Sequence, residues 1–323
     1  AADLLNAGHK VLGFDNLSNP ALHPTDIIKA ATGPNWANFK FYNQDIRSLE
    51  PMISICLNEG IESIIHLAAV GSVPRSFATP SLTVDVNERG FSNMLCLAAA
   101  LGVKRIVFAS SSSVYGDSKK AVKFEGEEGF PLSPYALSKQ MNEKLARIWQ
   151  AKTGIQYIGL RFFNVYGPGQ RPDSEYSAVI PRFCTEKELT VYGDGGTIRD
   201  FTFVDDVSRV VCLALSLAHA NFCINVGSGV GTSVEELAGI LADGRPIIYK
   251  DPRPGEARES VASVKNIKQI FNLKPETTLA NGLREAMGYY QWLTHQEDHS
   301  KRAEAATPME VQPSLEKSET SVS

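Results

Sequence analysis

Two residues four positions apart, Tyr135 and Lys139 in "PLSPYALSKQMNEKLARIW", carry the most suggestive chemistry in this chain of 323 residues. On a helix such positions lie one turn apart along the same side. An ammonium a few ångströms from a phenol favours the phenolate and draws the tyrosine below its reference value of about 10. The pair then forms a general base usable near neutral pH, with a serine hydroxyl to relay or share the proton. Such hydroxyls stand upstream, where "RIVFASSSSVYGD" ends an apolar run in four consecutive serines, Ser110 to Ser113. Taken alone, Tyr-x-x-x-Lys is a weak pattern and a serine cluster is ordinary turn material. Together, and in this order, they mark a site.

The surrounding pattern says what must hold them. Ser133 suits an N-cap and Pro134 the first helical position, so a helix is expected over 134–153, with Met141, Leu145 and Ile148 as its core face. Short apolar strands are expected at His9–Phe14, Phe39–Asn43, Ser63–Ala68, Arg105–Ser110 and Gln156–Phe163, alternating with helices around Met52–Glu59, Ser81–Leu101 and Pro134–Thr153. That alternation predicts an α/β fold: a parallel sheet with helices on both faces and ligands bound beyond the carboxyl ends of its strands. After Asn164 the Gly/Pro-rich "VYGPGQRPD" breaks the rhythm, and shorter, mixed elements follow. A later strand at Cys223–Val226 has the buried character of the first sheet and is expected to return to it. The expected organisation is therefore 1–167 for the sheet domain, 168–295 for a smaller mixed region that rejoins the sheet near 223–227, and a disordered tail over 296–323.

Composition removes other classes. Lys+Arg 32 against Asp+Glu 36 gives a net charge of −4, with no global basic field to draw nucleic acid. No apolar run approaches the roughly 18–20 residues that cross a bilayer. Five scattered cysteines without a CxxC read as buried thiols of a reducing compartment, which points to the cytoplasm and to no metal site or disulfide framework. His66, inside the apolar "IIHLAA", reads as a hydrogen-bonded core residue and is given no catalytic role.

The opening "AADLLNAGHKVLGFDN" reads as the end of a helix running into a strand that finishes on Asp15. In dinucleotide-binding units an acidic residue bonds the adenosine ribose about 20 residues beyond a Gly-rich turn. Were Asp15 that residue, the first strand and the turn would lie before residue 1, and the chain as it stands would be expected to bind the dinucleotide weakly. The other reading of Asp15 is a strand-end carboxylate that opens an Asx-type turn with Asn16.

In sum of motifs the chain resembles an extended short-chain dehydrogenase/reductase of the nucleotide-sugar epimerase/dehydratase group, from residue 1 to about 294. The resemblance implies a Rossmann-like doubly wound parallel sheet, lacking here its first strand and Gly-rich turn, with NAD as cofactor and a UDP-sugar as substrate. It puts Asp15, Asn16 and Ser18 of "DNLS" at the ribose and adenosine phosphate, and Asp45 and Ile46 of "QDIR" at the adenine. Leu67, Ala68 and Ala69 of "HLAA" lie against the cofactor, with Asn87 supporting that strand. Ser111, Tyr135 and Lys139 fall on the catalytic Ser, Tyr and Lys. Phe162 comes near the nicotinamide and Asn164 to the substrate side, along with Ser112 and Ser113. Arg199 and Arg253 fall where the group clamps the substrate diphosphate, with Arg258 close by. The alternative for these arginines is a solvated surface.

Dehydratases of the group carry Asp-Glu directly after the catalytic hydroxyl residue, and here those positions are Ser112 and Ser113. Without those carboxylates, 4-epimerisation through a 4-keto intermediate is the expected reaction. "AAVGSVPRSFATP" and "SEYSAVIP" most resemble enzymes of UDP-N-acetylhexosamines or their uronic acids, used in surface-polysaccharide synthesis. Ser260, in "PRPGEARES", matches a site of either a small residue or a bulky Tyr, and Gly71, Ser72 and Ala178 are likewise small; a plain loop serine is the other reading of Ser260. UDP-glucose or UDP-glucuronate 4-epimerisation remains an alternative, as does a non-catalytic nucleotide-sugar or NAD-binding protein. A homodimer through the helices at 81–101 and 134–153 is also expected, with no nucleic-acid or membrane partner.

Overall fold

A computed structural model describes residues 1–18, 24–170, 172, 178–252, 257–273 and 275–306, with side chains to residue 294. Helix α1 (Ala2–Asn6) leads into β1 (Val11–Asp15), α2 (Pro24–Thr32), β2 (Phe39–Asn43), α3 (Leu49–Cys56) and β3 (Ser63–His66). Helices α4 (Val73–Ala78) and α5 (Pro80–Val84) run through a π-helical turn at Asp85–Arg89 into α6 (Gly90–Leu101). Then come β4 (Arg105–Ser111), the short β5 (Val122–Lys123), α7 (Pro134–Thr153) and β6 (Gln156–Phe162). The remainder is β7 (Asn164–Tyr166), α8 (Val179–Thr185), β8 (Leu189–Tyr192), β9 (Ile198–Phe203), α9 (Val204–Ser216), β10 (Phe222–Val226), β11 (Gly231–Ser233), α10 (Val234–Leu241), β12 (Ile247–Lys250), β13 (Glu259–Ala262), α11 (Lys265–Phe271) and α12 (Leu279–Ala306).

The central sheet is parallel, in the order β10-β6-β4-β3, so the strand at 222–226 does rejoin it. Strand β4 explains why it must be covered twice. Ile106 and Phe108 pack with Met52, Phe91 and Ala146 from α3, α6 and α7, whereas the intervening Val107 packs with Val207, Val210 and Val211 from α9. An apolar strand without polar alternation has two dry faces, which is the parallel-sheet signature. Strands β1 and β2 pair in parallel as a separate ribbon, and Leu12 and Phe14 join the first of those cores. A second sheet, β11-β9-β13-β5 with β7 on β9, carries the substrate-side arginine and serine expected from sequence. Strand β12 pairs with β8.

Two close approaches fix how these layers meet. A Cβ on Gly90 would stand 2.4 Å from Ile46 Cδ1, so any larger residue there would have to displace the Ile46 side chain on which α6 settles. Asp200 of β9 is wholly buried and accepts from Thr202 Oγ1, from Ser228 N and Oγ, from Gly229 N and from Ala262 N. Those donors bind β9, the 227–230 loop and β13 into one unit, and the burial cost of the carboxylate is offset by the number of donors it receives.

Three expectations are corrected. The face of α7 turned to the core is Ala136, Lys139, Asn142 and Ala146, while Met141 and Leu145 are half-buried and Ile148 is 65% exposed. The helix turns its chemical residues toward β4; of the expected face Leu145 does pack against the first core, while Met141 is only half-buried and Ile148 lies outward. Of the five cysteines, Cys56 is buried and the other four are half-buried. The final helix continues to Ala306, beyond the point where the tail was expected to start, and residues 307–323 of that expected tail lie outside the described residues.

Candidate active site

Residues at the carboxyl ends of successive parallel strands make up the site. Asp15 ends β1, Asp45 and Ile46 follow β2, Leu67 to Ala69 follow β3, Ser111 ends β4 and Phe162 ends β6. Helix α7 starts where its sequence says it should. Ser133 accepts from Ala136 N at 3.1 Å, Pro134 occupies the first turn, and Gly154 closes the helix with φ 76°.

Tyr135, Lys139 and Ser111 come together as expected. Tyr135 is hydrogen-bonded to the Ser111 side chain, and Lys139 Nζ donates to Ala109 O at 2.9 Å, lying 5.8 Å from the centre of the Tyr135 ring. Ser111 Oγ also accepts from Ser113 N at 3.1 Å, so its hydroxyl is oriented from behind. The electrostatics differ from the expectation. Burial pushes the Tyr135 phenol up, opposed by the Ser111 hydrogen bond. Burial lowers Lys139 to about 8, opposed by the negative charge of Glu143. The lysine is itself desolvated and aimed at a carbonyl, so in the protein alone it does not bring the phenol below 10.

Asn87 sits in the π-helical turn, a frequent device at functional sites. Its Oδ1 accepts from Val70 N at 2.8 Å, and its Nδ2 donates to Val70 O and to Ser138 Oγ, both at 3.1 Å. One buried amide thus ties the loop after β3 to α7. Leu67, Ala68 and Ala69 on that loop are exposed apolar residues. Ser72 caps α4 at φ 92°, a costly conformation for a non-glycine residue.

At the β1–β2 end the Asx-turn reading of Asp15 is observed. Its Oδ1 accepts from Leu17 N at 2.7 Å in an Asx turn, and the carboxylate remains exposed at the strand end. Asn16 accepts from Ser18 N and donates to Asp45 Oδ2, so the two expected motifs touch. Arg47 grips Asp45 and Asp85, which holds the Asp45 carboxyl well below the usual range. The Ile46 side chain is buried against Gly90 and joins the first core.

On the other side, Ser260 of β13 lies in register with Arg199 of β9 and is only 8% exposed. Arg199 Nη1 donates to Ile198 O at 3.0 Å and to Arg258 O at 3.5 Å. Arg258 itself is committed elsewhere, to a two-pronged pair with Asp194 at 2.6 and 2.8 Å. Asn164 and Ala178 are half-buried at the starts of β7 and α8, and Phe162 packs partly into the core on the α9 side. Arg253 lies outside the described residues. Ser112 is half-buried, and Ser113 Oγ is a buried hydroxyl with no partner among the described residues, as suits a group awaiting a ligand.

Sequence reasoning missed the charged cluster behind Lys139, formed by Ser110, Glu143, Arg161 and Glu128. The available signal was Glu143 standing four residues after Lys139.

Comparison with known proteins agrees with this geometry. Residues 1–227 match the model of the NAD dependent epimerase/dehydratase family. A UDP-glucuronate 4-epimerase of Thermodesulfobacterium geofontis is 31% identical over 291 residues, spanning 88% of this chain and 90% of that protein. The crystal structure of a Thermotoga maritima UDP-glucose 4-epimerase with UDP-glucose superposes with a TM-score of 0.82 at 31% identity, covering 90% of this chain and 94% of that one. A UDP-N-acetylglucosamine 4-epimerase of Methanobrevibacter ruminantium, in complex with UDP-N-acetylmuramic acid, gives 0.80 at 28% identity over 90% and 94%.

His66 generates a test. It is buried, with its ring 5.6 Å from that of Phe91, and burial first, then the charge of Lys139, lowers it from 6.5 to about 3. Between those values the unfolded chain binds a proton that the folded chain refuses, so stability present above pH 6.5 is lost as pH falls toward 3. From this one group the slope reaches about 1.4 kcal/mol per pH unit. Urea unfolding at a series of pH values should show this slope in the wild type and its loss in His66→Gln. Equal slopes would assign the acid sensitivity elsewhere.

Proposed function

The chain belongs to the NAD-dependent epimerase/dehydratase family, and from that premise we propose that it interconverts the C4 epimers of a UDP-sugar, with a UDP-N-acetylhexosamine or its uronic acid as substrate. The observation that carries the reading is the Ser111–Tyr135–Lys139 arrangement on β4 and α7, followed at 112 and 113 by serines instead of carboxylates. The residues suit NAD: an exposed strand-end carboxylate at Asp15, the exposed apolar Leu67, Ala68 and Ala69, and the Ser113 hydroxyl, unpartnered among the described residues. When bound, NAD supplies reversible hydride acceptance and is regenerated in each cycle.

The chain's own residues do the rest. Tyr135 takes the proton of the sugar 4-hydroxyl and Ser111 shares it; with the C4 hydride given up to the acceptor that NAD would supply, C4 would become a ketone. Lys139, adjoining the phenol, stabilises the phenolate that this requires. Because burial alone raises Tyr135, the positive charge at the site is needed to make it a base near neutrality. Arg199 would grip the diphosphate and leave the sugar free to turn over before reduction on its other face. No carboxylate stands at 112 or 113 to drive elimination across C5 and C6, which favours epimerisation over dehydration.

Incubating the NAD-loaded protein with UDP-glucose, UDP-glucuronate, UDP-N-acetylglucosamine and the uronic acid of the last should yield the C4 epimer of at least one of the N-acetylated pair. Tyr135→Phe should lower that turnover by about 10²–10⁴-fold while leaving UDP-sugar binding largely intact. A mutant within threefold of wild type would remove Tyr135 from the mechanism.

Substrate width is assigned to Ser260, buried and in register with Arg199. A small residue there leaves volume for a 2-N-acetyl group. Ser260→Tyr should fill it and penalise UDP-N-acetylglucosamine relative to UDP-glucose by about 1–3 kcal/mol, roughly 5- to 150-fold in kcat/KM. Unchanged relative activity on the two sugars would sink the assignment.

We further propose a homodimer. Val84, Met141 and Leu145 line a groove between α5 and α7, while Val84 and Leu137 are each 45% exposed and Ile148 65%. Burying this strip is what an isologous helix-on-helix contact would do. Light scattering at micromolar concentration should give twice the chain mass, and Met141→Glu should return it to the monomer. A wild-type monomer would count against the contact.

A further inference from the structure

Glu143 lies one turn beyond Lys139 on α7, on the face turned to β4, and its side chain is 11% exposed. Ser110 Oγ donates to its Oε1 at 2.5 Å. Arg161 of β6 grips the same carboxylate with both prongs, Nε to Oε1 at 2.9 Å and Nη2 to Oε2 at 2.8 Å. The guanidinium is fixed in turn: it pairs with Glu128, its Nη1 donates to Tyr115 Oη at 3.0 Å, and it lies 5.2 Å from the centre of the Tyr115 ring. Tyr115 Oη in turn donates to Asn225 Oδ1 at 2.6 Å. A carboxylate held by three such bonds cannot swing away.

We propose that Glu143 is a positioning residue for proton transfer: the buried carboxylate that keeps Lys139 an ammonium facing Tyr135 while the substrate hydroxyl is deprotonated. The inference rests on the epimerase reading of this site. Its physical basis is charge balance. Lys139 and Arg161 carry two positive charges, Glu143 and Glu128 two negative ones, and the cluster is neutral only while Lys139 is protonated. Other groups facing it do not substitute. His66, from β3, stays uncharged at neutral pH, Ser110 and Ser111 from β4 carry no charge, and the Cys223 thiol of β10 is pushed well up by burial. Tyr115 is likewise pushed up by burial. Among the causes acting on Lys139, burial favours loss of its proton and Glu143 opposes that loss.

The test compares wild type, Glu143→Gln, Glu143→Asp and Ser110→Ala in the NAD-loaded full chain. Two readouts are followed: the alkaline limb of the kcat–pH profile, and the titration of Lys139 by ¹³C NMR at its side-chain Cε, assigned with Lys139→Met. In Glu143→Gln both should move toward lower pH by about one unit or more, with KM for the UDP-sugar within twofold of wild type. Glu143→Asp and Ser110→Ala keep the charge, and both should retain the wild-type limb even where the melting temperature falls. Should Glu143→Gln fail to fold, Glu128→Gln, at the more exposed end of Arg161, should shift both readouts in the same direction by less. A lowered melting temperature with an unmoved Lys139 titration, in either charge-removing variant, would overturn the proposal and leave Glu143 a structural residue. The NMR arm needs no turnover. A wild type inactive on every UDP-sugar would therefore refute the epimerase reading while the Lys139 titration still decides the role of Glu143.

Discussion

Strand β4 meets helix α7 through three consecutive residues, and the rest of the site depends on that contact. Ser111 bonds Tyr135, the carbonyl of Ala109 accepts from Lys139, and Ser110 donates to Glu143. The helix residues recur every fourth position, so they form one line along its inner side. The strand is paired on both edges, with β3 and β6, and dry on both faces. Functional groups fastened to such a strand inherit the precision of the sheet, which a loop could not give them. The helix is registered independently at its start by the Ser133 cap, so a slip along β4 would break all three of those bonds at once.

The same contact sets the electrostatic problem. Pressing α7 against β4 removes Tyr135, Lys139 and His66 from water, and each shift seen there is led by burial. Loss of solvent strengthens the pull between charges but makes an unbalanced charge costly. The fold answers with complete pairing behind the lysine. Glu143 takes two prongs of Arg161 and the Ser110 hydroxyl, and Arg161 takes Glu128 and Tyr115 besides. Leu67, Ala68 and Ala69, after β3, are exposed, and the buried Ser113 hydroxyl has no partner among the described residues.

Much of this was legible from residue order. The strands at 39–43, 105–111 and 156–162 and the helix at 134–153 follow from apolar runs, a serine cap and a closing glycine, which are local signals. Tyr135 and Lys139 were legible because helical spacing is a local rule, and Ser111 because serines at the end of an apolar strand are conspicuous. What was not legible depends on partners distant in sequence. Arg161 lies inside an apolar strand, and nothing near it names Glu128 or Glu143 as its partners. Asp200 looks like a strand-edge acid until Ser228, Gly229 and Ala262 arrive from two other segments. Nothing near Arg258 in sequence names its exposed ion-pair partner Asp194. The inner face of α7 was misread for a related reason. Hydrophobic periodicity finds the apolar stripe of a helix, and here that stripe and the core face are not the same.

That mismatch has a consequence of its own. A helix with one buried face usually spends its apolar residues there, yet α7 gives its inner face to Lys139, Asn142 and Glu143 and turns Leu137, Met141 and Ile148 outward. The polar inner face is stable only because Ser110, Arg161 and Asn87 meet it. Asn87 reaches Ser138 from the π-helical turn, and the same turn supplies Asp85 and Glu88 to the groove whose apolar lining includes Val84 and Leu145. A partner closing over that groove would therefore press on α7 and on the turn carrying Asn87, the two elements that hold Lys139 and the loop after β3 in place. The outward apolar stripe and the inward polar one are two sides of a single constraint: a helix that carries chemistry toward its own sheet keeps only part of its apolar surface for the core, here Leu145, Ala146 and Trp149, and exposes the rest.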